Sequence, residues 1–265
     1  MDSETKYNMK FIWSICLVAA MGGLLFGYDW VVIGGAKPFY EKYFNLTTPF
    51  QIGWAMSCAL VGCLAGSVLS GISSDKFGRK RLLILAGLMF VVSAVGTGLA
   101  KGFTDFVIYR ILGGIAIGLA SNLSPMYIAE ITPAKMRGQF VSINQLTIVI
   151  GILAAQVVNW LIADKVPPDA TAEFILNSWN GQYGWRWMFG AEVVPAFIFF
   201  ALMFIVPESP RWLIKNGRAK QAQDIFGKVA GPAFAADAVR QIQDTSTFIV
   251  APRLLLAACA GTTAS

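Results

Sequence analysis

Apolar residues run in six long stretches separated by short polar connections, at roughly 11–35, 52–73, 82–100, 104–127, 139–163 and 186–206. A helix needs about 20 apolar residues to cross the ~30 Å hydrocarbon core of a bilayer. The pattern therefore predicts six transmembrane helices. The first stretch, Phe11 to Gly35, is longer than the core of a cleavable leader and is followed by further spans, so it reads as a retained first helix. From 207 to 247 the rhythm changes. Gln, Ala, Lys and Asp alternate with apolar residues at helical spacing, which predicts cytoplasmic helices. The stretch 248–265 turns apolar again but is too short to span. Three regions are expected: a six-helix bundle over 1–206, a helical linker over 207–247, and an atypical tail over 248–265 that reads as a premature ending.

Lys and Arg set the orientation. One face carries Lys6, Lys10, Lys76, Arg79, Lys80, Arg81, Lys135 and Arg137, then Arg211, Lys215, Arg218, Lys220, Lys228, Arg240 and Arg253. The other carries Lys37, Lys42, Lys101, Lys165 and Arg186. The richer face is expected to be cytoplasmic, with both termini inside and the chain in the cytoplasmic (inner) membrane. Trp160, Trp179, Trp185 and Trp187 fall near the opposite face, as interfacial aromatics do. Gly62, Gly66 and Ser70 share one face of the second span, and Gly114 and Gly118 one face of the fourth, which permits close helix packing.

Composition agrees with a membrane protein. The chain is 56% hydrophobic with mean hydropathy +0.60 and only 14% charged residues, against about a quarter charged in soluble domains. The net charge of +6 lies in short loops between apolar runs, which is a topology signal rather than a nucleic-acid footprint. There is no histidine, so Ser-His triads, H-E-x-x-H zinc sites and histidine relays are excluded. Cys16, Cys58, Cys63 and Cys259 form no C-x-x-C pair and read as small packing residues. No cofactor or metal is expected.

Three charges interrupt the spans: Asp29, Arg110 and Glu192. A charge in hydrocarbon costs at least ~2.5–3.5 kcal/mol on the insertion scale, so it faces a polar pathway or a partner. Each lies about six residues, hence about 9 Å, from the same end of its predicted span. Two acids and one base in one layer have two readings. They can be a static ion pair joining three helices. They can equally be a coupling switch, in which an arginine moving between two acids decides which one takes a proton.

The loop between the second and third spans reads Gly71-Ile-Ser-Ser-Asp75-Lys76-Phe77-Gly78-Arg79-Lys80-Arg81. In it Gly71 lets backbones approach, Asp75 can accept from Arg79, and Gly78 allows the tight reversal. This string resembles the G-x-x-x-D-[RK]-x-G-[RK]-[RK] signature of the major facilitator superfamily. Arg110-Ile-Leu-Gly113-Gly114, Pro125-Met-Tyr127-Ile-Ala-Glu130 with Pro133 and Arg137-Gly138, Asn144-Gln145, Gly184-Trp185-Arg186 and Pro207-Glu208-Ser209-Pro210-Arg211-Trp212-Leu213 resemble its sugar porter family. Within that family the chain is most like the N-terminal half of bacterial xylose–proton symporters, over about residues 11 to 245. The fold class so implied is an all-α membrane protein: six transmembrane helices forming the N-terminal half of the major facilitator fold, with a 3+3 inverted repeat, plus cytoplasmic helices.

The resemblance also implies roles. Phe26-Gly27-Tyr28-Asp29 is similar to the first-helix motif whose acid is the proton site of symporters, where facilitators tend to have Asn. Arg110 and Glu192 match the arginine and acid that pair with it. Gln145 matches a fifth-helix glutamine that hydrogen-bonds sugar hydroxyls, and an interhelical hydrogen bond is the plainer alternative. Phe26 matches an aromatic at the sugar, with core packing as the alternative. Ile152 stands where the xylose type has a second glutamine and many facilitators have Ile. Gln156 shares the face of Gln145. Gly71, Asp75, Gly78, Arg79, Glu130, Arg137, Glu208 and Arg211 match a cytoplasmic gate that holds the outward-facing state closed.

The expected activity is proton-coupled symport of a pentose or hexose. The expected partners are a monosaccharide, protons, the lipid bilayer and a C-terminal half that this sequence lacks, with no nucleic acid. An uncoupled facilitator, or a non-transporting half-transporter or sensor, is the alternative. An enzyme is not expected: Tyr28-Asp29 is similar to one acid motif of membrane aspartyl proteases, but the second G-x-G-D string is absent.

Overall fold

A computed structural model describes residues 6–167 and 170–244. The expected tail over 248–265 lies outside the described residues. The described chain is helical, with no strand among the described residues. It divides into two compact units: Ile15–Val206, and a second made of the start of the chain together with Pro207 onward.

Six helices are long and apolar enough to cross a membrane, and all but the first residues of the first helix, up to Ser14, lie in the first unit. α1 spans Met9–Tyr43, α2 Pro49–Phe77, α3 Arg79–Leu99, α4 Phe103–Ile131 and α5 Arg137–Ile162. After a short α6, Ala172–Asn177, the sixth span is composite: a π turn over Asn180–Gly184, α7 over Trp185–Gly190 and α8 over Val193–Met203. Local chemistry fixes the ends. Thr48 and Gln51 form a reciprocal cap on α2, with Pro49 at its first turn. Gly78, at φ 91°, is the single residue between α2 and α3, where a side chain would be strained.

The spans overrun the hydropathy stretches. α1 continues to Tyr43 and the sixth span begins at Asn180, because polar helix ends project beyond the apolar layer. The expected unbroken run over 186–206 is interrupted at Ala191–Glu192. Pro195 explains the break: it has no N–H to offer the Ala191 carbonyl and its ring crowds it. Tighter three-residue bonds, Glu192 N–H to Phe189 O (3.2 Å) and Val194 N–H to Ala191 O (3.3 Å), carry the chain across.

α2 and α4 meet backbone to backbone. A Cβ at Gly62 or Gly66 would collide with the α4 main chain at Ile111 and Ile115, and one at Gly114 or Gly118 with the α2 main chain at Ala59 and Cys63. The stripes of small residues thus form the expected seam, and Asn122 Nδ2 donates to Ser70 Oγ (2.9 Å) at its end. α1 and α5 make a second seam, where Gly27 faces Ile148 and Gly151 faces Leu24. α1 and α4 are the interior pair, with 56% of their most apolar windows buried, against 17% for α5. Side chains on α1 and α4 are therefore the ones enclosed, and α5 presents an open face.

An aromatic cluster of Tyr40, Phe44, Phe106, Trp185 and Phe189 fills the end of the bundle near the α3–α4 turn. Trp185 is fully buried there rather than interfacial as expected, whereas Trp160, Trp179 and Trp187 are exposed. In the second unit α9, Pro210–Lys215, is capped by Ser209, and α10, Ala219–Ala230, buries Ala222, Ile225, Phe226 and Val229. Helical residues continue over 232–244.

Candidate functional site

Asp29 on α1, Arg110 on α4 and Glu192 at the break in the sixth span are each about 2–3% exposed. Arg110 Nη1 donates to Asp29 Oδ1. The guanidinium lies 5.3 Å above the Phe189 ring, which fixes it from the α7 side. Glu192 is within electrostatic reach of both partners but makes no ion pair among the described residues. Asp29 Oδ2, Arg110 Nε and Glu192 Oε1 are buried with no hydrogen-bond partner. The group thus has one base shared unequally between two acids, one bonded and one waiting. With both acids ionised its net charge is −1; with one proton it is neutral, the arrangement that apolar surroundings favour.

The surroundings hold this geometry. Tyr28, next to Asp29, donates its hydroxyl to the Met188 carbonyl (3.1 Å) and ties α1 to α7. Ser93 on α3 donates to the Tyr109 carbonyl (2.8 Å), one residue before Arg110. Gly113 keeps the space open: a Cβ there would strike Ser93 Oγ and come within 3.5 Å of Asp29 Oδ2. Tyr28 stands in the sequence motif without a role of its own, and Ser93 and Phe189 are not singled out by the sequence. Their one visible signal was a polar or aromatic residue near the charges in an apolar span.

The residues expected to face a sugar are placed differently. Gln145 and Gln156 are exposed on α5 and make no hydrogen bond within the described residues, so the interhelical alternative for Gln145 is not what the structure contains. Ile152, between them on that face, is half-buried. Phe26 is half-buried and meets Trp30 edge-on at 6.3 Å. The α1–α5 seam at Gly27 brings the Phe26–Asp29 turn alongside this face. Two further amides are buried at the seam: Asn144, quoted above only as part of a motif, opposite Gly23, and Asn159, not singled out by the sequence, opposite Gly35; Asn159 donates to Val32 O (3.2 Å).

At the other end of the bundle Arg79 gathers three helix ends. Nη1 donates to Asp75 Oδ1 (3.2 Å) and Ser74 O (3.0 Å), and Nη2 to Glu130 Oε1 (3.1 Å). Lys80 Nζ donates to Phe204 O (2.8 Å). Among the described residues Arg137, at the start of α5, makes no ion pair, and its buried Nε has no hydrogen-bond partner. Gly71 is a correction: nothing lies within 4 Å of its Cβ position, so no backbone approaches it among the described residues. In the second unit Glu208 Oε1 accepts from the Ser209 N–H (2.9 Å), and Arg211 is exposed.

The fold agrees with the comparisons. A family model described as Sugar (and other) transporter matches residues 15–257, and the chain belongs to that family of transporters. It folds as the N-terminal half of the major facilitator fold. The D-xylose-proton symporter of Escherichia coli (strain K12) is 42% identical over 265 residues, covering 91% of this chain and 52% of the relative. The glucose transport protein of Synechocystis sp. (strain ATCC 27184 / PCC 6803 / Kazusa) is 40% identical over 252 residues, covering 95% and 52%. The major facilitator superfamily proton:xylose symporter XylE bound to 6-bromo-6-deoxy-D-glucose superposes with a TM-score of 0.82 at 40% identity, over 90% of this chain and 54% of that one. The chain spans about half the length of the curated relatives it matches. With six apolar helices and these relatives it is a multi-pass membrane protein.

Proposed function

We propose that this chain is the N-terminal half of a proton-coupled monosaccharide symporter, and that Asp29 carries the proton. The observation that supports this most is the unequal sharing of Arg110, which is bonded to Asp29 while Glu192 stands buried, near and unpaired. When Asp29 takes a proton it releases the arginine, and Glu192 is the next acceptor. A rotation of α1 against the broken sixth span would exchange one pairing for the other. Sugar enters this scheme through the open α5 face. Gln145 and Gln156 offer uncommitted amides, each both donor and acceptor, to a polyol, and Phe26 and Ile152 supply the apolar contact. A complementary half would close this face and complete the site, with rocking about it as the transport step. The Arg79–Asp75–Glu130 cluster is the inner gate, to which Arg137 contributes charge; Glu208 and Arg211, in the other unit, are assigned to the gate by the family resemblance alone. Both termini face the cytoplasm, with the chain in the inner membrane; cysteine accessibility at Lys135→Cys and Lys101→Cys checks this, the first labelling only from inside.

A second reading, an uncoupled facilitator, is favoured by Ile152 alone. The experiment is uptake of labelled xylose and glucose into proteoliposomes containing this chain fused to the C-terminal half of the E. coli relative. Accumulation above equilibrium that requires an inward proton gradient supports symport. Equilibration indifferent to the gradient supports the facilitator.

A further inference from the structure

Away from the charge cluster, a groove of about 730 Å³ runs between the end of α3 and the π turn, α7 and the start of α8. Its walls are apolar, formed by Val95, Leu99, Trp187 and Val193, and Tyr183 and Trp187 are exposed beside it. At Gly190 a Cβ would meet nothing within 4 Å, so this glycine leaves the groove open.

Two cations line the same groove, Lys101 and Arg186. Arg186 is held in place: Nε donates to Gln182 O (3.1 Å), and Nη1 to Gly98 O (2.9 Å) and Ala100 O (2.7 Å). Its guanidinium also stacks 4.7 Å from the Tyr43 ring and 4.4 Å from the Trp185 ring. All of these partners are neutral. Lys101 is exposed and makes no ion pair among the described residues. The nearest acid in sequence, Asp105, is turned to the Gly102 N–H (3.4 Å) at the start of α4. Among the described residues no carboxylate lines the groove, which ends in these two positive charges; Asp105 lines the adjoining hollow on the other side of Lys101.

We infer that this groove binds an anionic phospholipid, its phosphate between Lys101 and Arg186 and one acyl chain along α3 and α7. Charge selects the headgroup and the apolar walls select the chain. The position suits a lipid, at the helix ends where Trp187 and Tyr183 mark the membrane interface. A sugar is a poor occupant, because Gln182 Nε2 is already committed to Leu176 O (2.8 Å) and the walls offer few polar groups. A free phosphate would leave the apolar groove unused.

Native mass spectrometry of the full chain with added phosphatidylglycerol or phosphatidylcholine tests this. The wild type is expected to retain phosphatidylglycerol at least about five-fold better, the scale of one or two interfacial cations. Lys101→Glu should abolish that preference. Gly190→Leu, which fills the groove, should lower retention of phosphatidylglycerol, and Leu99→Trp replaces it if its melting temperature falls. Lys135→Glu, at the opposite end of the bundle, should change nothing. Equal retention of the two lipids overturns the inference, as does loss with Lys101→Glu but not with the groove-filling variant, which would indicate surface charge without a groove.

Discussion

The bundle holds two arginine clusters with the same members, one base and two acids, and they differ in how completely the base is used. Arg79 gives its two terminal nitrogens to three acceptors, and one of its acids, Asp75, has a side chain 53% exposed. Arg110 gives one bond, to an Asp29 whose side chain is 3% exposed, and leaves a second acid unpaired. A base bonded through both terminal nitrogens, with only its Nε unpartnered, resists rearrangement and suits a joint. In the proposed mechanism a base bonded through one nitrogen, with a second buried acid nearby, exchanges partners, which is the property a switch needs. The residue set alone does not separate these roles; burial and bond count do.

The variants that test this contrast differ in size. Asp29→Asn is expected to be the most severe: in the fused transporter, gradient-driven accumulation is lost, the internal and external sugar concentrations becoming equal, while sugar exchange at equal pH persists. Arg110→Ala leaves two acids buried without a base and should destabilise the bundle by about 3–5 kcal/mol, read as a fall in melting temperature in detergent. Arg79→Ala should cost less, about 1–3 kcal/mol, because its acids lie closer to water. If Arg79→Ala proved worse than Arg110→Ala, the contrast between joint and switch would be lost. Asp75→Ala, removing an exposed partner, should change stability by at most about 1 kcal/mol. Gly71→Ala should be within about 0.5 kcal/mol of wild type, since its surroundings are open.

Much of this was legible in the sequence, because a bilayer imposes strong rules. Twenty-residue apolar runs announce the spans, and small residues at helical spacing announced the α2–α4 seam at Gly62, Gly66, Gly114 and Gly118. Charges in apolar runs pointed to Asp29, Arg110 and Glu192, and the structure brings Asp29 and Arg110 into contact. The reckoning of equal depth used helix ends that α1 and the sixth span overrun, so the contact rests on packing rather than on that arithmetic. The break at Glu192 was readable from Pro195 but was hidden by the run's hydropathy. Side chain–backbone bonds such as Ser93 to Tyr109 O depend on which helices neighbour each other, and no periodicity shows that. Arg186 read only as a charge at the start of the sixth span, whereas its bonds to the Gly98 and Ala100 carbonyls make it the pin joining the end of α3 to that span.

The central claim, that the buried cluster links one proton to each sugar movement, is tested most directly by proton flux. Proteoliposomes of the fused transporter in lightly buffered medium receive xylose or glucose while the external pH is recorded. The account predicts that a transported sugar alkalinises the medium in the wild type and that Asp29→Asn abolishes this while exchanging labelled sugar. Sugar entry with no pH change, or an undiminished pH change in Asp29→Asn, would contradict it.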